Sequence, residues 1–290
     1  MSHVLRRRWL ADLALVGITF IWGATFVVVK TALDSSSTLF FLALRFSLAA
    51  VVLALLFRRR LRTEHRQGSA VRAGLLAGGF LFLGYLFQTA GLRFTTPAKS
   101  ALITGLAVVL VPILSAVLYR SRPGWSCWLG AGLAVAGLYL LTAPAGLAEF
   151  ARGELLTLIG AVAFSLHILL LGRYSPRVGV ASLTLAQVVV AAVLSLACFS
   201  WAEPFFVRWT ASFLAAVLIT GLLATALAFS VQTWAQQFTP STHAALIFAL
   251  EPVFAWLTSY VMMGERLGGN GAVGAALMLL GIILSEMKPW

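Results

Sequence analysis

Charge is scarce in this sequence. Only 10% of its 290 residues are Asp, Glu, Lys or Arg, where a soluble globular domain carries about 25%. Acids are scarcest, nine against 21 bases. With 61% hydrophobic residues and a mean hydropathy of +0.97, the composition excludes a water-soluble domain and predicts an all-α membrane protein. The surplus of +12 raises the question of a nucleic-acid partner. Most of the cations flank apolar runs, however, where they act as topology signals, so no nucleic acid is expected.

Other absences narrow the function. Cys127 and Cys198 are two cysteines near different predicted helix ends, with no CxxC or Cys/His cluster beside them. That pattern excludes a disulfide framework and a zinc site, and no metal or cofactor is expected. No HExxH pair, GxSxG elbow or carboxylate cluster occurs, which argues against an intramembrane enzyme built on His167 and Glu251. The GxxxxGK[ST] loop is missing too, and no soluble segment is available to hold a nucleotide, so any coupling must use an ion gradient. Arg6, Arg7 and Arg8 precede an apolar run from Leu13 to Val29. That run is longer than a cleavable signal core and lacks a small-x-small site, so it reads as a first transmembrane helix.

What is abundant is apolar length. Ten stretches near the ~20 residues needed to cross a bilayer fall at 11–31, 38–57, 71–91, 98–119, 124–142, 153–171, 180–200, 211–235, 241–263 and 268–286. With the N-terminus inside, fourteen Lys and Arg lie on the cytoplasmic side (Arg6, Arg7, Arg8, Arg58, Arg59, Arg60, Arg62, Arg66, Arg72, Arg120, Arg122, Arg173, Arg177, Lys288). Six lie outside: Lys30, Arg93, Lys99, Arg152, Arg208 and Arg266. The bias predicts that both termini are cytoplasmic.

The chain also repeats itself. Residues 88–140 set on 232–284 without a gap, a shift of 144, agree at 18 of 53 positions. The pairs include Gln88/Gln232, Thr89/Thr233, Phe94/Phe238, Thr95/Thr239, Gly130/Gly274 and Gly137/Gly281, and Ala101-Leu102-Ile103 recurs as Ala245-Leu246-Ile247. The second span follows at a shift of 142, with Ala49-Ala50-Val51 against Ala191-Ala192-Val193. Each repeat therefore has five spans, 11–142 and 153–286, and an odd number forces opposite orientations. Two inverted five-helix repeats are the sequence mark of a secondary transporter with its site at the repeat interface near the midplane.

The ninth span carries the sharpest polar feature. Glu251 stands near its middle, followed by Pro252. A carboxylate at that depth costs about +2.5 to +3.5 kcal/mol on insertion scales. Pro252 frees a carbonyl and predicts a kink, as Pro112 does in the fourth span. Glu251 reads either as a partner for protons or a substrate amine, or as a buried acid tied to a neighbour.

His167 in the sixth span is either a proton relay or a quiet interhelical bond. His243, at the start of the ninth, reads as interfacial. Gln88 and Gln232 suit interhelical amide bonds or a shared site. Trp22, Tyr85, Phe164 and Trp234 are candidates for an aromatic wall. Arg45, seven residues into the second span, either meets a carboxylate or snorkels outward, and a structural partner is favoured, with Gln187 at the matching place in the second repeat. The Gly/Ala-rich fifth and tenth spans present faces suited to close packing or, alternatively, to a homodimer contact.

These segments resemble the EamA family of the drug/metabolite transporter superfamily over nearly the whole chain. The resemblance rests on Ile18–Lys30 (ITFIWGATFVVVK), Thr95–Leu114 (TTPAKSALITGLAVVLVPIL) and above all Thr239–Leu267, with Glu251-Pro252 and the closing Gly264-Glu265. It implies a central cavity lined by the first, third, fourth, sixth, eighth and ninth helices, with the fifth and tenth outside. It also implies an exporter of amino acids, other metabolites or toxic compounds. One departure stands out: the first half has Ala107 where the second has Glu251, so chemistry at Glu251 is asymmetric. The expected function is export of small amphipathic metabolites across the plasma membrane by alternating access, with protons as a candidate coupling ion. The alternatives are multidrug efflux of hydrophobic cations, with Glu251, Trp234 and Trp256 as the pocket, and a non-transporting assembly subunit.

Overall fold

A computed structural model describes residues 3–64, 68–119, 124–142 and 152–286. Arg66, Arg120, Arg122 and Lys288, four of the cations counted for topology, lie outside these, as does the side chain of Arg6. The described chain is helical apart from short loops and one isolated antiparallel bridge, Ser36 with Val207.

The first three helices are α1 (His3–Ala32), α2 (Thr38–Thr63) and α3 (Gly68–Leu92). The fourth predicted span is two helices, α4 (Pro97–Gly105) and α5 (Ala107–Tyr119), followed by α6 (Trp125–Thr142), α7 (Arg152–Tyr174) and α8 (Val180–Cys198). The eighth span comprises α9 (Ala211–Gly221), a π-helical turn (Leu222–Leu227) and α10 (Ala228–Ala235). The ninth is again divided, into α11 (Ser241–Phe248) and α12 (Glu251–Met263), and α13 (Gly269–Glu286) completes the described chain.

Among the described residues eight stretches are long and apolar enough to cross a bilayer: Arg7–Ala32, Thr38–Thr63, Ala70–Leu92, Pro97–Tyr119, Arg152–Tyr174, Val180–Cys198, Ala211–Ala235 and Ser241–Met263. A 23-residue stretch such as Pro97–Tyr119 rises roughly 34 Å as helix, enough for the ~30 Å hydrocarbon core. The two other predicted spans are α6 and α13, each of 18 residues. Large apolar side chains such as Leu55, Leu56, Val117, Leu218, Val261 and Met262 point outward from this bundle. In water such a surface would drive aggregation, whereas in lipid it is solvated.

Hydrogen bonds define the two ends of the bundle. At one end Lys30 Nζ donates to the carbonyls of Leu92 (2.7 Å), Arg93 (3.1 Å) and Thr95 (3.0 Å), capping the end of α3 from α1. Arg93 Nε donates to Thr38 Oγ1 at 2.7 Å, and Thr95 Oγ1 donates to Glu154 at 2.9 Å. At the other end Glu64 accepts from the first backbone N–H groups of α8, Ala181 (3.3 Å) and Ser182 (2.9 Å), an N-terminal cap supplied in trans by α2. Asp12 there accepts from Thr239 Oγ1 at 2.8 Å and lies 3.4 Å from His243 Nε2, which places His243 at the bundle end rather than at its centre.

The most extensive helix contacts join the first half of the chain to the second: α6 with α13, α3 with α7 and α8, α2 with α8, α1 with α12. Close approach needs small residues. A Cβ at Gly91 would stand 2.6 Å from Gly153 O, and one at Gly160 would stand 3.0 Å from Gly84 O, so glycines seven apart on α3 and α7 let the backbones touch. In the α6–α13 seam Gly130, Gly137, Gly274 and Gly281 are buried. The small-residue faces thus pack on each other within one chain.

The two divided spans break in the same way. Leu106 N donates to Ile103 O at 3.1 Å, and Leu250 N donates to Ile247 O at 3.1 Å, 144 residues on. Their backbone angles nearly coincide, φ −59°, ψ −15° for Leu106 and φ −76°, ψ −16° for Leu250. Neither proline occupies the break itself. Pro112 lies inside α5, six residues past the break at Leu106. Pro252 sits in the first turn of α12, where a missing N–H costs nothing. The common factor is packing: α4 lies on α12 and α5 on α11, so the two breaks stand side by side.

Candidate functional site

The two largest of three apolar clusters among the described residues meet inside the bundle. One gathers Leu15, Ile18, Leu102, Val108, Ile168 and Phe248, the other Phe26, Phe41, Phe46, Leu81, Tyr85 and Phe213, and Trp22 packs against both. A cavity lies where they meet, at the level of the paired helix breaks. It is bordered by α1, α2, α3, α4, α5, α7, α10 and α11, with Glu251 from the start of α12. Of the residues predicted for a site, Glu251, His167, Gln88, Gln232, Trp22, Tyr85 and Phe164 line it.

Trp234 does not. It follows Gln232 by two residues, about 200° around the helix, and its ring packs on Phe238 at 5.6 Å instead. Trp256 is also outside, 38% exposed on α12 with its ring 6.0 Å from Tyr260. The two tryptophans offered for a cation pocket therefore face away from it.

Local sequence explains how each side chain reaches the cavity. Glu251 is the first residue of α12, so a carboxylate stands at the positive end of a helix dipole. Its carboxylate accepts no hydrogen bond among the described residues and is not among the sealed polar atoms, so it opens on the cavity. The Trp22-Gly23 step serves both partners. Trp22 presents its ring to Phe229 (5.5 Å) and Phe248 (5.3 Å), while a Cβ at Gly23 would meet Glu251 O at 2.8 Å and Phe254 Cβ at 2.7 Å. Only glycine lets α1 lie on the first turn of α12. Gly84 does the same for Phe164, whose ring would stand 2.6 Å from a Cβ there.

His167 is committed on one side. Thr233 Oγ1 donates to Phe229 O at 2.7 Å, so it must accept from Gln187 Nε2 at 3.0 Å. Gln187 Oε1 is then left to accept from His167 Nε2–H at 2.7 Å. This chain fixes the tautomer and leaves Nδ1 as an acceptor. Gln88 Nε2 donates to Thr104 Oγ1 at 3.0 Å, and Gln232 Nε2 to Gln236 Oε1 at 3.1 Å. The two glutamines occupy matched positions and bond within separate neighbourhoods.

Arg45 has structural partners, as favoured from its sequence position. It does not snorkel. It is 2% exposed and lines the cavity. Its Nε donates to Thr225 Oγ1 at 2.7 Å, and Nη2 donates to Tyr85 Oη at 3.1 Å and to Ala224 O at 3.2 Å. Those acceptors depend on the π-helical turn. Ala228 N turns to Leu223 O, five residues back, so Ala224 O loses its usual α-helical donor and accepts from Arg45 and from Trp22 Nε1 (2.9 Å). The matching stretch of the first half, within α3, is ordinary helix. Periodicity carries no signal for such a turn. The depth of Arg45 and the polar residue at the matching Gln187 were the only clues.

A bundle of apolar helices around a polar, aromatic-walled cavity at mid-depth, joined by short loops, defines a multi-pass membrane protein of the transporter class. The chain belongs to the EamA-like transporter family of the drug/metabolite transporter superfamily. The family model matches it twice, at residues 9–143 and 151–287.

It is similar to an uncharacterized transporter of Archaeoglobus fulgidus, 36% identical over 97% of this chain and 87% of that one. The uncharacterized transporter YoaV of Bacillus subtilis is 23% identical over 94% of this chain and 95% of its own. A solved crystal structure shares the fold at a TM-score of 0.72 and 21% identity, covering 96% of this chain and 98% of that one.

Proposed function

We propose that the protein is a secondary transporter of the plasma membrane that exports small amphipathic metabolites, amino acids or solutes like them. Its ten spans, counting α6 and α13, form two inverted halves, residues 11–142 and 153–286, that alternate access to one site, with both termini cytoplasmic. The observation that carries this reading is the cavity itself. It draws on helices of both halves, lies beside their paired breaks, and holds a carboxyl group with no hydrogen bond among the described residues. A carboxylate left free at the centre of a membrane bundle suits proton coupling or an amine on the substrate.

Multidrug efflux of hydrophobic cations is disfavoured by Arg45, whose charge in the same cavity repels a second cation. An assembly subunit has no use for a lined central cavity.

Counterflow in proteoliposomes with labelled aromatic and branched-chain amino acids tests the reading. Saturable, competable accumulation is expected, and its absence from folded protein for amino acids, other metabolites and drugs alike would overturn transport. Glu251→Gln keeps the shape and removes the titrating group, so it is expected to abolish dependence on a pH gradient. Transport that keeps its pH response in this variant rules out a coupling role for Glu251.

A further inference from the structure

The cavity contains a basic and an acidic side chain that do not pair with each other. Among the described residues the one acid–base contact within 4.0 Å is Asp12 with His243, at the end of the bundle. Arg45 and Glu251 both line the cavity, yet no salt bridge joins them. Tyr85 accepts from Arg45 Nη2 at 3.1 Å and lies within electrostatic reach of Glu251. An unpaired guanidinium in a membrane interior is costly, and a strut that only tied helices together would be served by neutral groups.

The guanidinium is also aimed. Thr225 and Ala224 on the π-helical turn, with Tyr85, hold Nε and Nη2, and the Tyr85 ring lies 4.2 Å beneath the guanidinium carbon. Nη1 makes no hydrogen bond among the described residues, on a side chain that lines the cavity, so this edge of the guanidinium is left for a ligand. A planar donor edge, locked by its other nitrogens and left free on one side, is the geometry that receives a carboxylate.

We propose that the Nη1 edge of Arg45 is an anion subsite that takes the carboxylate of the transported solute, with Glu251 taking its ammonium. The solute is then a zwitterion, and its own two charges complete both unpaired groups. This rests on the transport reading above and adds to it a specificity residue and a charge requirement. A solute with two negative charges would leave one facing Glu251, and a plain cation would leave Arg45 unpaired. The aromatic wall of Trp22, Phe164, Phe229 and Phe248 suits an apolar side chain between them.

Competition against labelled leucine in proteoliposomes, with leucine, leucinamide and 4-methylpentanoate as competitors, tests this at one fixed pH. For the native protein leucine is expected to compete about 10- to 100-fold better than leucinamide, the range of a charge-assisted hydrogen bond. In Arg45→Gln that preference is expected to collapse to about threefold or less, while the preference over 4-methylpentanoate persists. Native protein that handles leucine and leucinamide alike overturns the proposal, and this comparison needs no variant to fold. So does a folded Arg45→Gln protein that keeps the preference. Saturable transport confined to solutes without a carboxylate overturns the subsite and leaves the transporter standing, whereas no saturable transport of any solute removes both.

Discussion

At Gly23 a single missing methyl group places a charge. A Cβ there would press on backbone of the first turn of α12, Glu251 O at 2.8 Å and Ala255 N at 3.0 Å, with Phe254 Cβ at 2.7 Å. None of these is the far end of a flexible side chain, so the helices must part. Gly23→Ala is expected to destabilise the protein by about 1–3 kcal/mol, the usual cost of overpacking. A lower Tm in detergent with weakened transport would show it, and an unchanged Tm would mean that α1 and α12 slide freely. The Trp22-Gly23 step is thus one device with two outputs: an aromatic wall from Trp22, and from Gly23 the contact that seats Glu251.

At the scale of elements, the broken helices and the π-helical turn do most to shape the cavity. The same break occurs at Leu106 and at Leu250 with a proline beside only the second, so a proline is not needed to form it. Pro252→Ala is therefore expected to keep transport and to change stability by no more than about 1 kcal/mol, because the first turn of a helix tolerates either residue. Pro112→Ala regains an N–H able to reach Val108 O inside α5 and is expected to hold or raise the Tm. Loss of transport in Pro252→Ala with normal folding would return the break to the proline.

At the scale of the molecule, the two halves have no separate cores. α3 lies on α7 and α8, α1 on α12, and α6 on α13, so each half supplies the surface that the other buries. Such interlocking suits a rocking motion about one central site and predicts a single cooperative unfolding transition. The topology is open to a direct test. Fusions after Trp290 are expected to fluoresce with green fluorescent protein and to be inactive with alkaline phosphatase, both marking a cytoplasmic C-terminus. The reverse result would invert the charge-derived orientation.

How much of this was legible beforehand depends on the range of the interaction. Hydropathy locates spans because each helix meets lipid on its own, residue by residue. The 144-residue repeat is likewise readable, since identical pairs such as Gln88/Gln232 survive in the linear order. Seven of the eight candidate residues proved to share one cavity, because mid-span polar and aromatic groups are few and have few places to go.

The direction of Trp234 and the partners of Arg45 were not legible, and for one reason. Whether a side chain faces the cavity is a matter of helix rotation, and rotation is set by what the helix packs against. Two residues along α10 turn Trp234 away, and a π-helical turn brings Ala224 and Thr225 onto Arg45. A membrane bundle, its internal repeat and the identity of its polar groups are all readable in the linear order, because they are properties of local segments. Only the tertiary structure decided that a guanidinium and a carboxylate share one cavity unpaired. That fact depends on distances between segments 206 residues apart in the chain, Arg45 and Glu251.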